Sequence, residues 1–382
     1  MRHLLATRHA HSRRHARKQS RATPIPSRPS AATAFAARGP LLSSAPRDLR
    51  ASPASIVRVS VIIPTRDRAA LLARAIAGVT AQGHADIELI VVDDGSAPDE
   101  AARNAQFIRA VPNARHIVLE PAGPQGSGPA QARNAGIAAA SGALVAFCDD
   151  DDQWVAPDFL ATAVAAFAAD ERLDLLFANQ AAMSGDAPRY ARWQPKLDAL
   201  LDARGATTDA ATPVSRAECL VSAGDFAHMN TCVFRRSLLE AAGGFDADLR
   251  YCEDLDLYVR AIDRARAVAC LRRTVAVHHV PDRTRRDNAS TRLDARERNA
   301  TLDRIARRLV ERCHTAEALD YSRRLGADAC RVLAREAAAA AHGEEALSWA
   351  RRAGAWRPTL RWTIYTQVLR WRRLVAPRSA AT

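Results

Sequence analysis

Three short apolar runs, Val59–Ile63, Ile87–Val92 and Ala143–Cys148, each stop abruptly at a polar cluster. Runs of this length are too short for buried helices and read as strands covered on both faces. Stretches with helical character lie between and after them: Ala69–Gln82, Pro98 to about Ala110, Pro129–Ala140 and residues 158–170. Alternating strands and helices predict a parallel, doubly wound α/β sheet. Ligands of such sheets bind at the carboxyl ends of the strands. The three polar clusters, Pro64-Thr65-Arg66-Asp67, Asp93-Asp94-Gly95-Ser96 and Asp149–Asp152, should therefore line one crevice. Asp67 is placed to cap the first helix.

Further strands are expected at His116–Leu119, Leu173–Phe177, Thr231–Phe234 and Val275–His279, and helices at Ser237–Ala242 and Asp254–Arg266. Residues 123–128 read as a glycine-bearing loop. Residues 183–225 read as irregular, polar and acceptor-facing. From about Ala295 the chain turns Ala/Arg-rich and helical. The expected organisation is a disordered basic tail over residues 1–56, an α/β domain over 57–285 and a helical C-terminal region over 295–382.

The formal charge of +13 sits at the two ends. Residues 1–50 hold 11 Lys/Arg and one acid, and residues 351–382 hold 8 Arg and none, so the middle is slightly acidic. The charge therefore gives no reason to expect nucleic acid on the central body. Seven cysteines without a CxxC pair suggest neither a disulfide framework nor a zinc site, which suits a reducing, cytoplasmic compartment. No apolar run reaches the roughly 20 residues that span a bilayer.

Asp149–Asp152 is the sharpest chemical signal. Adjacent carboxylates at the end of an apolar strand repel one another, more so where the dielectric is low. Hard oxygen ligands there suit Mg²⁺ or Mn²⁺ and a phosphate-bearing substrate; the competing reading is a solvated acidic turn.

Six segments then fall in order: VSVIIPTRDR (59–68), ELIVVDDGS (88–96), ARNAGI (132–137), SGALVAFCDDDDQW (141–154), FRRSLLEAAGGFD (234–246) and YCEDLDLYVRA (251–261). Together they resemble family 2 glycosyltransferases of the GT-A (Rossmann-like) fold, over about residues 57–280. The resemblance implies a mostly parallel sheet flanked by helices and inverting, metal-dependent transfer from a nucleotide-diphosphate sugar, UDP-linked by preference. It implies that Pro64, Thr65 and Arg66 border the base. Asp94, with Asp93 beside it, would accept from the uracil N–H. Asp150 would contact the ribose, and Asp149 and Asp151 would hold the metal; counting back from Pro157 instead of forward from Gly142 shifts that assignment by one residue. Arg133, with Asn134 beside it, would meet the diphosphate or steady the aspartates. Asp254 would be the catalytic base and Glu253 its neighbour. His278 or His279 contacts phosphate or metal, or simply ends a strand. Trp154 packs beneath the loop, and Cys148 and Cys252 are packing residues.

The acceptor implied is a carbohydrate or a lipid-linked one, of surface polysaccharide or glycolipid assembly. Residues 358–376 form an amphipathic helix with Leu360, Ile364, Val368, Trp371, Leu374 and Val375 on one face. That stripe meets either an anionic membrane or the protein's own body. Two rival readings are a nucleotidyltransferase, which would want a glycine-rich phosphate loop where Pro64–Asp67 stands, and a degenerate transferase fold serving as a membrane or nucleic-acid adaptor.

Overall fold

The computed structural model describes residues 57–375 except 121, 122, 124, 186, 222–225 and 281–288. The tail expected over 1–56 and the boundary expected at 285 lie outside the described residues.

The first half alternates as its apolar periodicity demands: β1 (Val59–Thr65), α1 (Ala69–Thr80), β2 (Ile87–Asp93), α2 (Pro98–Arg109), β3 (Arg115–Val118), α3 (Pro129–Ala139), β4 (Leu144–Phe147), β5 (Gln153–Trp154) and α4 (Phe159–Ala169). β6 (Leu173–Ser184) follows. The stretch expected to be irregular instead folds into β7 (Ala187–Tyr190), α5 (Pro195–Ala203), β8 (Ala211–Val214) and α6 (Arg216–Cys219). Its apolar signal is sparse because, among the described residues, only Leu197, Leu201, Val214, Cys219 and Leu220 are buried apolar side chains. A 3₁₀ turn (Met229–Thr231), β9 (Cys232–Arg235), α7 (Arg236–Ala242), α8 (Glu253–Arg264) and β10 (Ala267–His279) complete the sheet layer.

Among the described residues the strands form one sheet in the order β3-β2-β1-β4-β9-β6-β10-β5, with β7 and β8 on its margin. β3, β2, β1 and β4 are parallel, and β10 runs parallel to β6. β9 is antiparallel to both of its neighbours, so the sheet is mostly and not wholly parallel, as expected. β9 follows directly on the 3₁₀ turn, and antiparallel pairing does not need the long crossover that parallel pairing does. The result is a mostly parallel sheet flanked by helices.

Alternate β1 residues enter opposite cores. Ile62 packs with Val145, Phe147 and α8 on one face. Val61 and Ile63 pack with α1 and α4 residues Leu72, Phe159 and Leu160 on the other. α3 lies so close to β1 that a Cβ on Gly136 would collide with Ile62 Cγ2. Gly136→Ala should therefore cost about 1–3 kcal/mol by overpacking, despite a helix-propensity gain of up to ~1 kcal/mol. A lowered urea midpoint with unchanged m-value is the expected result.

The C-terminal helices are α9 (Ala289–Arg292), α10 (Ala295–Arg312), α11 (Ala316–Ala339), α12 (Gly343–Trp356) and α13 (Leu360–Val375). α10 and the first half of α11 share a core with the sheet domain through Leu302, Ile305, Leu309, Tyr321 and Leu325. Arg308 and Arg312 both reach Asp246, at 2.5 and 2.8 Å. Asp263 accepts from Thr315 N and Oγ1 and so caps α11. The second half of α11 forms a satellite core with α12 and α13.

Candidate active site

Register places the polar clusters side by side. Thr65 pairs with Asp93 across β1 and β2, and Ile62 pairs with Phe147 across β1 and β4. The residues just beyond β4 therefore arrive beside the end of β1, where Thr65 Oγ1 donates to Asp150 Oδ2 at 2.8 Å. Pro64 and Thr65 are buried here and Arg66 is half-buried.

The turn after β2 separates its two aspartates. Asp93 is wholly buried, and its oxygens accept from Ser96 N (2.8 Å) and Asn104 Nδ2 (2.9 Å). Asp94 instead accepts from the backbone N–H groups of Ser127 and Gly128, at 2.7 and 2.8 Å. It thereby ties the glycine loop before α3 to the end of β2. Arg250 holds the same loop from the other side, donating to Gly126 O at 2.9 Å. A carboxylate has about four lone-pair sites, so Asp94 keeps acceptor capacity for a ligand. Asp67 does not cap α1. It takes a backbone φ of 52° and accepts from Ala97 N, while Glu100 of α2 accepts from Ala69 N at the start of α1. The two helices exchange caps because their N-termini meet at the strand ends.

Arg133 joins the two acidic motifs. One guanidinium nitrogen donates to Asp149 Oδ1 at 2.6 Å and another to Glu253 Oε1 at 2.8 Å. The residue is 6% exposed, and its guanidinium lies over the Phe245 ring. Neighbouring Asn134 exchanges hydrogen bonds with Phe245 N and O, which fastens α3 to the turn that leads toward α8. Cys252 precedes α8 with φ 57°, a left-handed conformation that non-glycine residues seldom adopt. That turn sets Glu253 and Asp254 in the first turn of the helix, where its dipole favours acids. Asp254 Oδ1 accepts from Leu255 N at 2.7 Å. Burial raises the carboxyls of both Glu253 and Asp254, against the pull of Arg133.

Charge is unevenly shared among the four aspartates. Burial would raise Asp149, but Arg133 and His228 outweigh it and hold that carboxyl at about 2. Asp150 is raised by burial, with Arg68 opposing. Asp151 is pushed up to about 8 by burial and then by Asp152, Asp150 and Asp149. Arg68 Nη1 lies 3.2 Å from Asp150 and 3.0 Å from Asp151, and Arg74 donates to the Asp151 carbonyl at 2.7 Å. Asp152 is fully buried and pairs with His278 Nδ1 at 3.0 Å while accepting from His279 N. Burial works to lower His278, but Asp152 holds it up at about 9. His228 lies 4.8 Å from His278, ring to ring, and Trp193 stands edge-on to both. Ligand atoms of Asp152, His228 and His278 all lie within 4.8 Å of one another.

A divalent cation fits this cluster. Burial and three neighbouring carboxylates crowd negative charge around Asp151, and the buried His228 Nδ1 has no hydrogen-bond partner. Trp154 packs as expected, its indole donating to Asn230 O at 2.7 Å, and Cys148 is fully buried. Arg68, Arg250, His228 and Trp193 are site residues beyond the sequence reading. Arg68 stood inside the first motif and carried a signal in its neighbours; the others sit in stretches without a pattern.

Residues 60–213 match the family model Glycosyl transferase family 2. A 98-residue segment is 34% identical to the GalNAc(5)-diNAcBac-PP-undecaprenol β-1,3-glucosyltransferase of Campylobacter jejuni, covering 25% of this chain and 30% of that protein. The match thus spans under a third of that relative's length. Among solved structures, S. aureus TarS 1–349 in complex with UDP-GlcNAc superposes with a TM-score of 0.57 at 18% identity, over 83% of this chain and 87% of that one. The mannosyltransferase PcManGT of Pyrobaculum calidifontis, with GDP-Man and Mn²⁺, gives 0.50 at 19% identity over 87% and 91%. The fold is GT-A. The match to glycosyl transferase family 2 falls on residues 60–213, the segment that carries the first four of these motifs.

Proposed function

We propose that the protein transfers a sugar, with inversion, from a nucleotide-diphosphate donor to a hydroxyl acceptor. The observation that carries this reading is the Arg133 bridge between Asp149 and Glu253, which puts the donor-side aspartates and the base-side acids in one charged cluster. Asp254 takes the acceptor proton as the acceptor oxygen attacks the anomeric carbon, and its raised carboxyl suits a base operating near neutrality. Glu253 is held by Arg133 and shapes the acceptor side.

Pro64, Thr65, Arg66 and Asp94 border the base, and Asp150 meets the ribose. Asp93 contributes by fixing the turn that presents Asp94. We assign a divalent cation, Mg²⁺ or Mn²⁺, to Asp149 and Asp151, with Asp152, His228 and His278 beside them. When bound, the ion neutralises charge on the departing nucleoside diphosphate. UDP is the preferred nucleotide, as in the TarS complex, although the PcManGT complex shows the fold also housing GDP-mannose. A lipid-linked acceptor is assigned by analogy with the PP-undecaprenol carrier in the name of the Campylobacter relative.

Calorimetric titration with UDP tests the reading. Binding should tighten at least about tenfold when Mn²⁺ is added, and Asp151→Asn should abolish that gain. UDP heats that are equal with and without Mn²⁺ would remove the cation; no nucleotide binding at all would remove the transferase reading.

A further inference from the structure

α13 is apolar on two sides, and only one of them is used. Trp362 and Leu369 are buried against α11 and α12, and the Trp362 indole donates to Ala350 O at 2.8 Å. The opposite face carries Leu360, Ile364, Val368, Trp371 and Leu374, which are 79, 55, 40, 63 and 83% exposed. Their spacing of four, four, three and three residues draws a single stripe along the helix. Thr363, Ile364, Gln367, Val368 and Trp371 line a shallow depression of about 360 Å³. The stripe expected from the sequence is therefore real, and the described residues do not cover it.

Charge indicates the occupant. Leu360–Val375 contains four arginines and no acid. Arg361 and Arg372 flank the stripe on one side and Arg370 on the other, and all three are exposed. Arg373 lies on the far side and is engaged with Glu344 at 3.0 Å. A second copy of this face would bring arginines against arginines with no acid on the helix to pair them. The residues that precede and follow the described ones, 1–56 and 376–382, are themselves net basic. An apolar stripe edged by arginines on both flanks complements an anionic lipid surface: the stripe enters the acyl boundary while guanidiniums meet headgroup phosphates.

We propose that α13 docks the protein on anionic membrane, lying in the interface through Leu360, Ile364, Val368, Trp371 and Leu374, with Arg361, Arg370 and Arg372 on the headgroups. No helix among the described residues is long and apolar enough to cross a membrane, so attachment is in-plane. This docking is independent of the transferase reading, since none of these residues belongs to the site.

Co-sedimentation of the full chain with vesicles tests it. The protein should bind phosphatidylglycerol-containing vesicles and not pure phosphatidylcholine, and high salt should release it. The variant R361Q/R370Q/R372Q should bind more weakly by about fivefold per arginine. I364S/W371S should lose binding while keeping its circular dichroism, melting temperature and UDP binding. Equal binding to neutral vesicles, or undiminished binding by both variants, overturns the proposal. So does a concentration-dependent dimer in lipid-free buffer that I364S/W371S dissolves, because the stripe's occupant would then be a second copy.

Discussion

Asp254→Asn should lower kcat for sugar transfer by about 10²–10⁴-fold, the range lost when a positioned general base is removed. The substitution is nearly isosteric, and the asparagine oxygen can still accept from Leu255 N, so α8 keeps its first turn. Nucleotide binding should persist, because the base acts on the acceptor. The informative measurement pairs turnover with UDP affinity on the same preparation. Full turnover in Asp254→Asn would move the base elsewhere, with Glu253 the next candidate. Loss of both activity and UDP binding would point to a disturbed site.

Arg133→Met should be the most destabilising single change in the site. The guanidinium is buried and holds two carboxylates that sequence places more than a hundred residues apart. Removing it leaves Asp149 and Glu253 buried beside each other's charge, and breaking a buried pair in this way costs about 3–5 kcal/mol. The methionine stem still covers Phe245, so the loss reports charge rather than volume. The pH dependence has a defined sign for Asp149. Its folded-state carboxyl lies at about 2, below the ordinary value of about 3.9. The stabilisation it contributes is full above about pH 4 and fades as pH falls toward about 2. The gap between wild type and Arg133→Met in urea should therefore narrow over that acid range. A constant gap would mean that Arg133 acts by packing.

The strand–helix alternation was legible because its residues obey local periodicity. Val61 and Ile63 face one core and Ile62 the other, and that pattern needs no knowledge of partners. The acidic clusters were equally visible, since carboxylates at strand ends are conspicuous in any apolar context. Residues 183–225 were misjudged because their few inward side chains are spaced among polar ones, and their order derives from pairing with β6 and β10. Asp67 was assigned to the nearer helix start, but capping is decided by which N–H groups a carboxylate can reach in space. His228 and Trp193 had no sequence signature, as each owes its place to neighbours on distant elements.

The amino-acid order alone determined most of the strands and helices, the rim of acids and one apolar stripe of the last helix, because spacing along the chain decides those. Only the folded arrangement decided which of α13's faces stays in contact with solvent, and that Arg133 rather than a ligand joins Asp149 to Glu253. Contacts between distant segments depend on how layers stack, and stacking is a property of the whole core.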